Sequence, residues 1–244
     1  MLWSPSNLLT LTTPQQLGRF CGPMTFPART GLLWQGGDMG EYGRPLAAGV
    51  ALLERAIDYT LGSLHSVTPA ALCRATPCSD WNLRHLLEHL DDSLHTLTQA
   101  ATGHVAGCPH TTEDPRDPAP TGANPALLVR DGATEMLGRW TAAGDGGGAG
   151  TVCVADRRLT GPMVAAAGAI EIAVHGWDVA RACGEHRPIP PLMAEELLDL
   201  ALLFVTCADR LSRFAPPVAV PAYAPAQDHL LAHLGRDPDW FAHN

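Results

Sequence analysis

Trp81-Asn82-Leu83-Arg84-His85-Leu86-Leu87-Glu88-His89-Leu90 and, far downstream, Glu171-Ile172-Ala173-Val174-His175-Gly176-Trp177-Asp178 decide how this chain folds. In the first stretch, leucines at 83, 86, 87 and 90 recur at the three-and-four spacing of one helical face, with Asn82 in the place of an N-cap. His89 lies on that leucine side. In the second stretch, Glu171 and His175 sit one helical turn apart on one face. If the two helices pack side by side, His89, Glu171 and His175 can converge on one point. Two imidazoles and one carboxylate can hold a divalent metal with coordination positions left open, as in catalytic rather than structural sites.

Working outward, Leu46, Val50, Leu53, Ile57, Leu61 and Leu64 predict a first helix over 45–66, opened by Pro45. Thr76-Pro77-Cys78-Ser79-Asp80 reads as a turn, and the second helix runs over 82–102 through Leu94 and Leu97. A proline-rich loop, 103–124, precedes a third helix over 125–142 capped by Asn124-Pro125. The glycine cluster at 145–150 lacks the Gly-Lys-Ser/Thr ending of a phosphate loop and reads as a flexible turn. Thr151–Val154 is a short extended piece. Thr160-Gly161-Pro162 then opens a fourth helix, 162–183, closed by Gly184. A fifth helix over 191–213 and a short one at 226–234 follow. Residues 1–44 carry no sustained period and are expected to be an irregular extension. The expected fold is all-α: a mainly antiparallel four-helix bundle with an extra helix, long crossover loops and irregular N- and C-terminal extensions. Residues 45–238 form its domain and 239–244 a tail.

Composition narrows the function classes. With 46% apolar and 17% charged residues the chain is globular rather than disordered. It has no lysine, and its net charge of −9 argues against a nucleic-acid groove or an anionic membrane surface. No apolar run approaches the roughly 20 residues that span a bilayer, and Met1-Leu2-Trp3-Ser4-Pro5 does not resemble a secretory signal. A cytoplasmic location is expected. The seven cysteines include no CxxC pair and are expected to be free thiols there.

Several residue sets compete to carry chemistry. Glu171 stands in a helix nearly devoid of charge from Pro162 to Gly176, where a lone carboxylate would be costly to bury. A metal removes that cost, and so does a core Glu–His ion pair; residue pattern alone leaves both open. His85 and His89 spell His-Leu-Leu-Glu-His, the letters of an inverted zinc-protease helix, but His85 falls in the solvated first turn. The remaining histidines lie mostly in polar or loop contexts and read as surface residues. Trp81 and Trp177 read as core packing. Asp178 and Arg181 suit either a surface salt bridge or the orientation of a ligand. No Gly-x-Ser-x-Gly elbow and no dinucleotide fingerprint is present.

Thr76-Pro77-Cys78-Ser79-Asp80-Trp81 with the following Leu-Leu-x-His-Leu, together with Glu171-x-x-x-His175-Gly176-Trp177-Asp178-Val179-Ala180-Arg181, resembles the DinB/YfiT-like metal-binding superfamily. The closer likeness is to its mycothiol-dependent maleylpyruvate isomerase-like branch, and it covers residues 45–238. The ending Ala224–Asp228 and Leu234-Gly235-Arg236-Asp237-Pro238 is also similar to that of small actinobacterial members. The resemblance implies a DinB-like four-helix bundle with a divalent metal, commonly zinc, on His89, Glu171 and His175. It also implies activation of a low-molecular-weight thiol such as mycothiol as a metal-bound thiolate. Three departures stand out. The chain ends before the additional C-terminal domain that supplies maleylpyruvate isomerase with a catalytic arginine. His85 stands where the family usually has an acidic residue and Glu88 where it has a small one, and residues 1–44 have no counterpart.

The leading expectation is a metal-dependent enzyme that acts on a small organic electrophile by thiol transfer or thiol-assisted isomerisation. Its partners are a small-molecule substrate, with no nucleic acid or membrane, in a monomer or homodimer. The alternatives are a thiol-independent hydrolase, lyase or cyclase of secondary metabolism, and a non-catalytic bundle that binds a metal or small ligand.

Overall fold

Helix α4, Gly161–Ala182, is the axis of the protein: every residue in it except Pro162 and Met163 is buried. Burial on all sides explains why the sequence places so little charge there. The computed structural model describes residues 43–78, 81–103, 123–145, 151–154, 157–205 and 214–242. Helices α1 (Gly43–Ser63) and α2 (Leu83–Ala101) flank α4, and α3 (Pro125–Asp145) lies across the bundle from it. The four form a ring in the order α1, α4, α2, α3, which closes where α3 meets α1.

Each helix follows its apolar period. Leu53 and Ile57 of α1 are buried, and α1 yields at Leu64–Ser66 to a 3-10 turn at the predicted end. In α2, the side chain of Asn82 accepts a hydrogen bond from the His85 amide at 3.0 Å, and all six predicted leucines are buried. Val129, Ala133, Met136 and Trp140 line the inner face of α3, whose amide of Ala126 bonds the Asn124 side chain at 3.1 Å. Gly184, at φ +83°, ends α4 in a Schellman turn: Gly184 N–H donates to Arg181 O and Glu185 N–H to Ala180 O, both at 2.9 Å.

Neighbour directions correct the antiparallel expectation. Gly49 faces Pro162 and Ala165, while the hydroxyl of Thr60 donates to Ile172 O at 2.7 Å, so α1 and α4 run parallel. Gly132 lies against Leu94, and Trp140 Nε1–H donates to Leu97 O at 3.0 Å, so α2 and α3 are parallel too. The other two neighbouring pairs are antiparallel: α2 opposes α4, with His89 beside Glu171 and Leu97 beside Gly168, and α3 consequently opposes α1 where the ring closes. Parallel neighbours require connections as long as the bundle, a length the residues between α2 and α3 supply.

Thr151–Val154 (β1) pairs antiparallel with Arg157–Thr160 (β2), a partner strand the sequence did not signal. Val152 and Leu159 are register partners and both are buried, so a single apolar pair secures the hairpin. Helix α5, Pro191–Phe204, lies on α4 and ends short of the predicted 213, because Val205 is already extended; residues 206–213 lie outside the described residues. Helix α6, Ala226–His233, packs on α5. The extension 1–44, apart from its last two residues, lies outside the described residues, as do most of the loop 103–124, the glycine cluster 146–150 and the last two residues of the tail. Among the described residues α4 is the one helix long and apolar enough to cross a membrane, and 94% of its apolar window is buried inside the protein. Cys73, Cys78 and Cys183 form no disulfide.

Candidate metal centre

The antiparallel approach of α2 and α4 brings the expected trio together. His89 Nε2 lies 2.6 Å from Glu171 Oε1, and His175 Nε2 lies 3.2 Å from the same oxygen. The ligand atoms of the three residues all fall within 4.8 Å of one another, and all three residues are buried. Donors that share an ion at about 2.1 Å stand roughly 3.4 Å apart, so the His175–Glu171 separation is close to what a divalent metal requires and the His89–Glu171 one is shorter, at hydrogen-bond length. The donor set fits as well: two imidazole nitrogens and one carboxylate oxygen face a common centre, and the cluster can bind a metal.

Electrostatics prepare the same centre. Burial would raise the Glu171 carboxyl, but His175 and His89 beside it hold it well below the usual carboxylate range. Burial would lower the His175 imidazole, yet Glu171 and Asp178 together push it up to about 9. His175 Nδ1–H donates to Asp178 Oδ2 at 2.9 Å, which turns Nε2 toward Glu171. Asp178 is fully buried, so it orients His175 rather than forming a surface salt bridge.

Three more side chains shape the centre. Ser93, one turn beyond His89, donates to Glu171 Oε1 at 3.3 Å. Its signal was a hydroxyl on the leucine face at i+4 from a histidine. Trp81, read from sequence as core packing, lays its ring over His89 with centroids 4.6 Å apart and lies 6.1 Å from His175. Arg236 reaches Asp178 Oδ2 from the C-terminal segment at 3.5 Å; its stretch, Leu234–Pro238, carried part of the family resemblance, but the sequence attached no role to it. Trp177 is buried as expected. His85 and Glu88 are exposed, so the protease-like lettering around His89 does not build a site. Of the other histidines, His65 and His186 are exposed; His95, His229 and His233 are half-buried; His104, His110 and His243 lie outside the described residues.

A helical bundle with two histidines and a glutamate gathered in its core is the design of a DinB-like metal-binding protein. The family model described as the mycothiol maleylpyruvate isomerase N-terminal domain matches residues 53–180, more than half of the chain, and the chain belongs to this DinB-like family. Relatives include the uncharacterized proteins Rv0738 and MT0763 of Mycobacterium tuberculosis strains ATCC 25618/H37Rv and CDC 1551/Oshkosh. Each is 26% identical over 185 residues, covering 75% of this chain and 94% of the relative. No solved structure matches.

Proposed function

We propose that this protein is a metal-dependent enzyme that uses a mycothiol-type thiol on a small organic electrophile, by transfer or by thiol-assisted isomerisation. The observation that carries the reading is the convergence of His89, Glu171 and His175 in a member of a family described by a mycothiol-dependent isomerase. His89 and His175 through Nε2 and Glu171 through Oε1 are the metal ligands, and zinc is the expected ion. When bound, the metal supplies Lewis acidity at its open positions, which lowers the pKa of an entering thiol or water. The chain's own residues do the rest. Asp178 holds the His175 ring in register, Ser93 holds the Glu171 carboxylate, and Trp81 screens both imidazoles from water. Residues 45–238 are the functional unit, flanked by 1–44 and 239–244. It works in the cytoplasm, as a monomer or homodimer, on a small-molecule substrate and without nucleic acid or membrane.

The test is elemental analysis of the purified protein, followed by turnover of small electrophiles with and without mycothiol. About one divalent ion per chain, lost in Glu171→Ala and His175→Ala together with activity, is expected. Full activity in a metal-free variant would overturn the metal role. Unchanged turnover without mycothiol would shift the reading to the thiol-independent hydrolase, lyase or cyclase. A metal-loaded protein with no turnover would leave a binding protein.

A further inference from the structure

Asp178 is fully buried in an apolar helix, and two groups converge on its Oδ2: His175 Nδ1 at 2.9 Å and Arg236 Nη2 at 3.5 Å. A buried carboxylate in such surroundings needs a compensating cation. Arg236 is the cation delivered to it, and it comes from outside the four-helix ring.

The local fold aims this guanidinium. Helix α6 ends in a Schellman turn in which Gly235 N–H donates to Ala232 O at 3.1 Å and Arg236 N–H to Leu231 O at 2.8 Å. Gly235 takes φ +80°, and a Cβ there would meet Ala215 Cβ at 2.7 Å, so only glycine suits the turn. Beyond it the chain is pinned to α4. Arg181 Nη2 donates to Pro238 O at 2.9 Å, and the Arg181 guanidinium lies between the rings of Trp177 and Phe241, at 5.3 and 5.2 Å. Arg236 Nη1 donates to Leu234 O at 2.8 Å, which leaves Nη2 for Asp178.

We propose that Arg236 is a positioning residue of the metal centre, fixing the Asp178 carboxylate so that His175 presents Nε2 toward Glu171 and His89. The segment 234–241 is thereby a clasp that completes the site from the C-terminal side. The proposal rests on the metal reading for its functional meaning, but the Arg236–Asp178–His175 chain is also measured in the metal-free protein. Removing a partner that orients a ligand typically weakens metal binding by roughly ten- to a hundredfold.

The experiment compares wild type, Arg236→Gln, Arg236→Lys, Asp178→Asn and Arg236→Gln/Asp178→Asn. Zinc affinity is measured by chelator competition, and the His175 Nδ1–H resonance by nuclear magnetic resonance of the metal-free protein. Arg236→Gln is expected to weaken zinc about tenfold and to shift the His175 resonance, while Arg236→Lys, which keeps the charge, stays within about threefold of wild type. In the Asp178→Asn background, Arg236→Gln should cost nothing more, because its route to His175 is gone. An unmoved resonance with wild-type affinity in Arg236→Gln overturns the proposal. So does a loss that adds fully to that of Asp178→Asn. A wild type that takes up no zinc refutes the metal reading instead, and the resonance of the metal-free variants still decides the role of Arg236.

Discussion

Glu171 is the residue on which the proposed chemistry turns. It is the one carboxylate among the apolar residues from Pro162 to Gly176, and its Oε1 meets His89, His175 and Ser93 at once. Without a metal, the charge of Glu171 is balanced by a proton on His175, whose pKa is raised to about 9. A metal ligand must be neutral imidazole, so the ion has to displace that proton. Zinc uptake at pH 7 should therefore release about one proton from this pair, because Glu171, already held below the usual carboxylate range, has none to give. Apparent zinc affinity should rise with pH, by roughly tenfold per unit, and level off as the pH passes about 9. Calorimetry in buffers of different ionisation enthalpy reads the proton count. An affinity flat between pH 6 and 9 would contradict the picture. The convergence of His89, Glu171 and His175 was legible because helical period places them on facing sides of two helices, whereas the choice between a metal site and a core Glu–His pair came only from the family resemblance. The contact of Arg236 with Asp178 was not legible, since the Leu234–Pro238 stretch was recognisable only as a family ending and the arginine acts across the fold.

At the scale of elements, close approach does what side-chain bulk cannot. Gly176 lets α1 pass beside α4, where Thr60 bonds Ile172 O at 2.7 Å. A Cβ at 176 would meet the Thr60 Cα and Cβ at 3.0 Å and overlap its hydroxyl. Alanine gains about 1 kcal/mol in helix propensity, but overpacking against another helix's backbone costs about 1–3 kcal/mol. Gly176→Ala should lower stability in urea unfolding. Gly138, exposed on α3 with nothing within 4 Å of a built Cβ, provides the opposite case: Gly138→Ala should raise stability by up to about 1 kcal/mol. Equal effects at the two sites would refute the packing argument. Helices α1 and α2 were legible from several turns of apolar period, and α3 and α4 from their boundary signals, Asn124-Pro125 for α3 and Thr160-Gly161-Pro162 with Gly184 for α4. Strand β2 was not, since Arg157-Arg158-Leu159-Thr160 places a single apolar side chain in the core. The end of α5 was also missed: the β-branched Val205 and Thr206 follow an unbroken apolar run whose period does not register the change.

For the whole molecule, the question is whether the metal holds the bundle together or only works inside it. The parallel pairs α1–α4 and α2–α3 were hidden from pattern reading, which sees faces but not directions. They surround a core of Leu53, Ile57, Leu86, Leu90, Leu97, Met136 and Trp140, all essentially inaccessible to water. Such a core does not need an ion, in contrast to small zinc-dependent domains. Zinc that binds only the folded state still stabilises it by mass action, by about 2.7 kcal/mol at a hundredfold excess over Kd. In a chain of this size that corresponds to a rise in Tm of roughly 5–10 °C. The rise should vanish in His175→Ala and be reversed by a chelator, while the helical circular dichroism at 25 °C stays constant throughout. A Tm indifferent to zinc would remove the ion from the centre. A helical signal that collapses on chelation would make the metal a structural one, and the argument from open coordination positions to chemistry would fall with it.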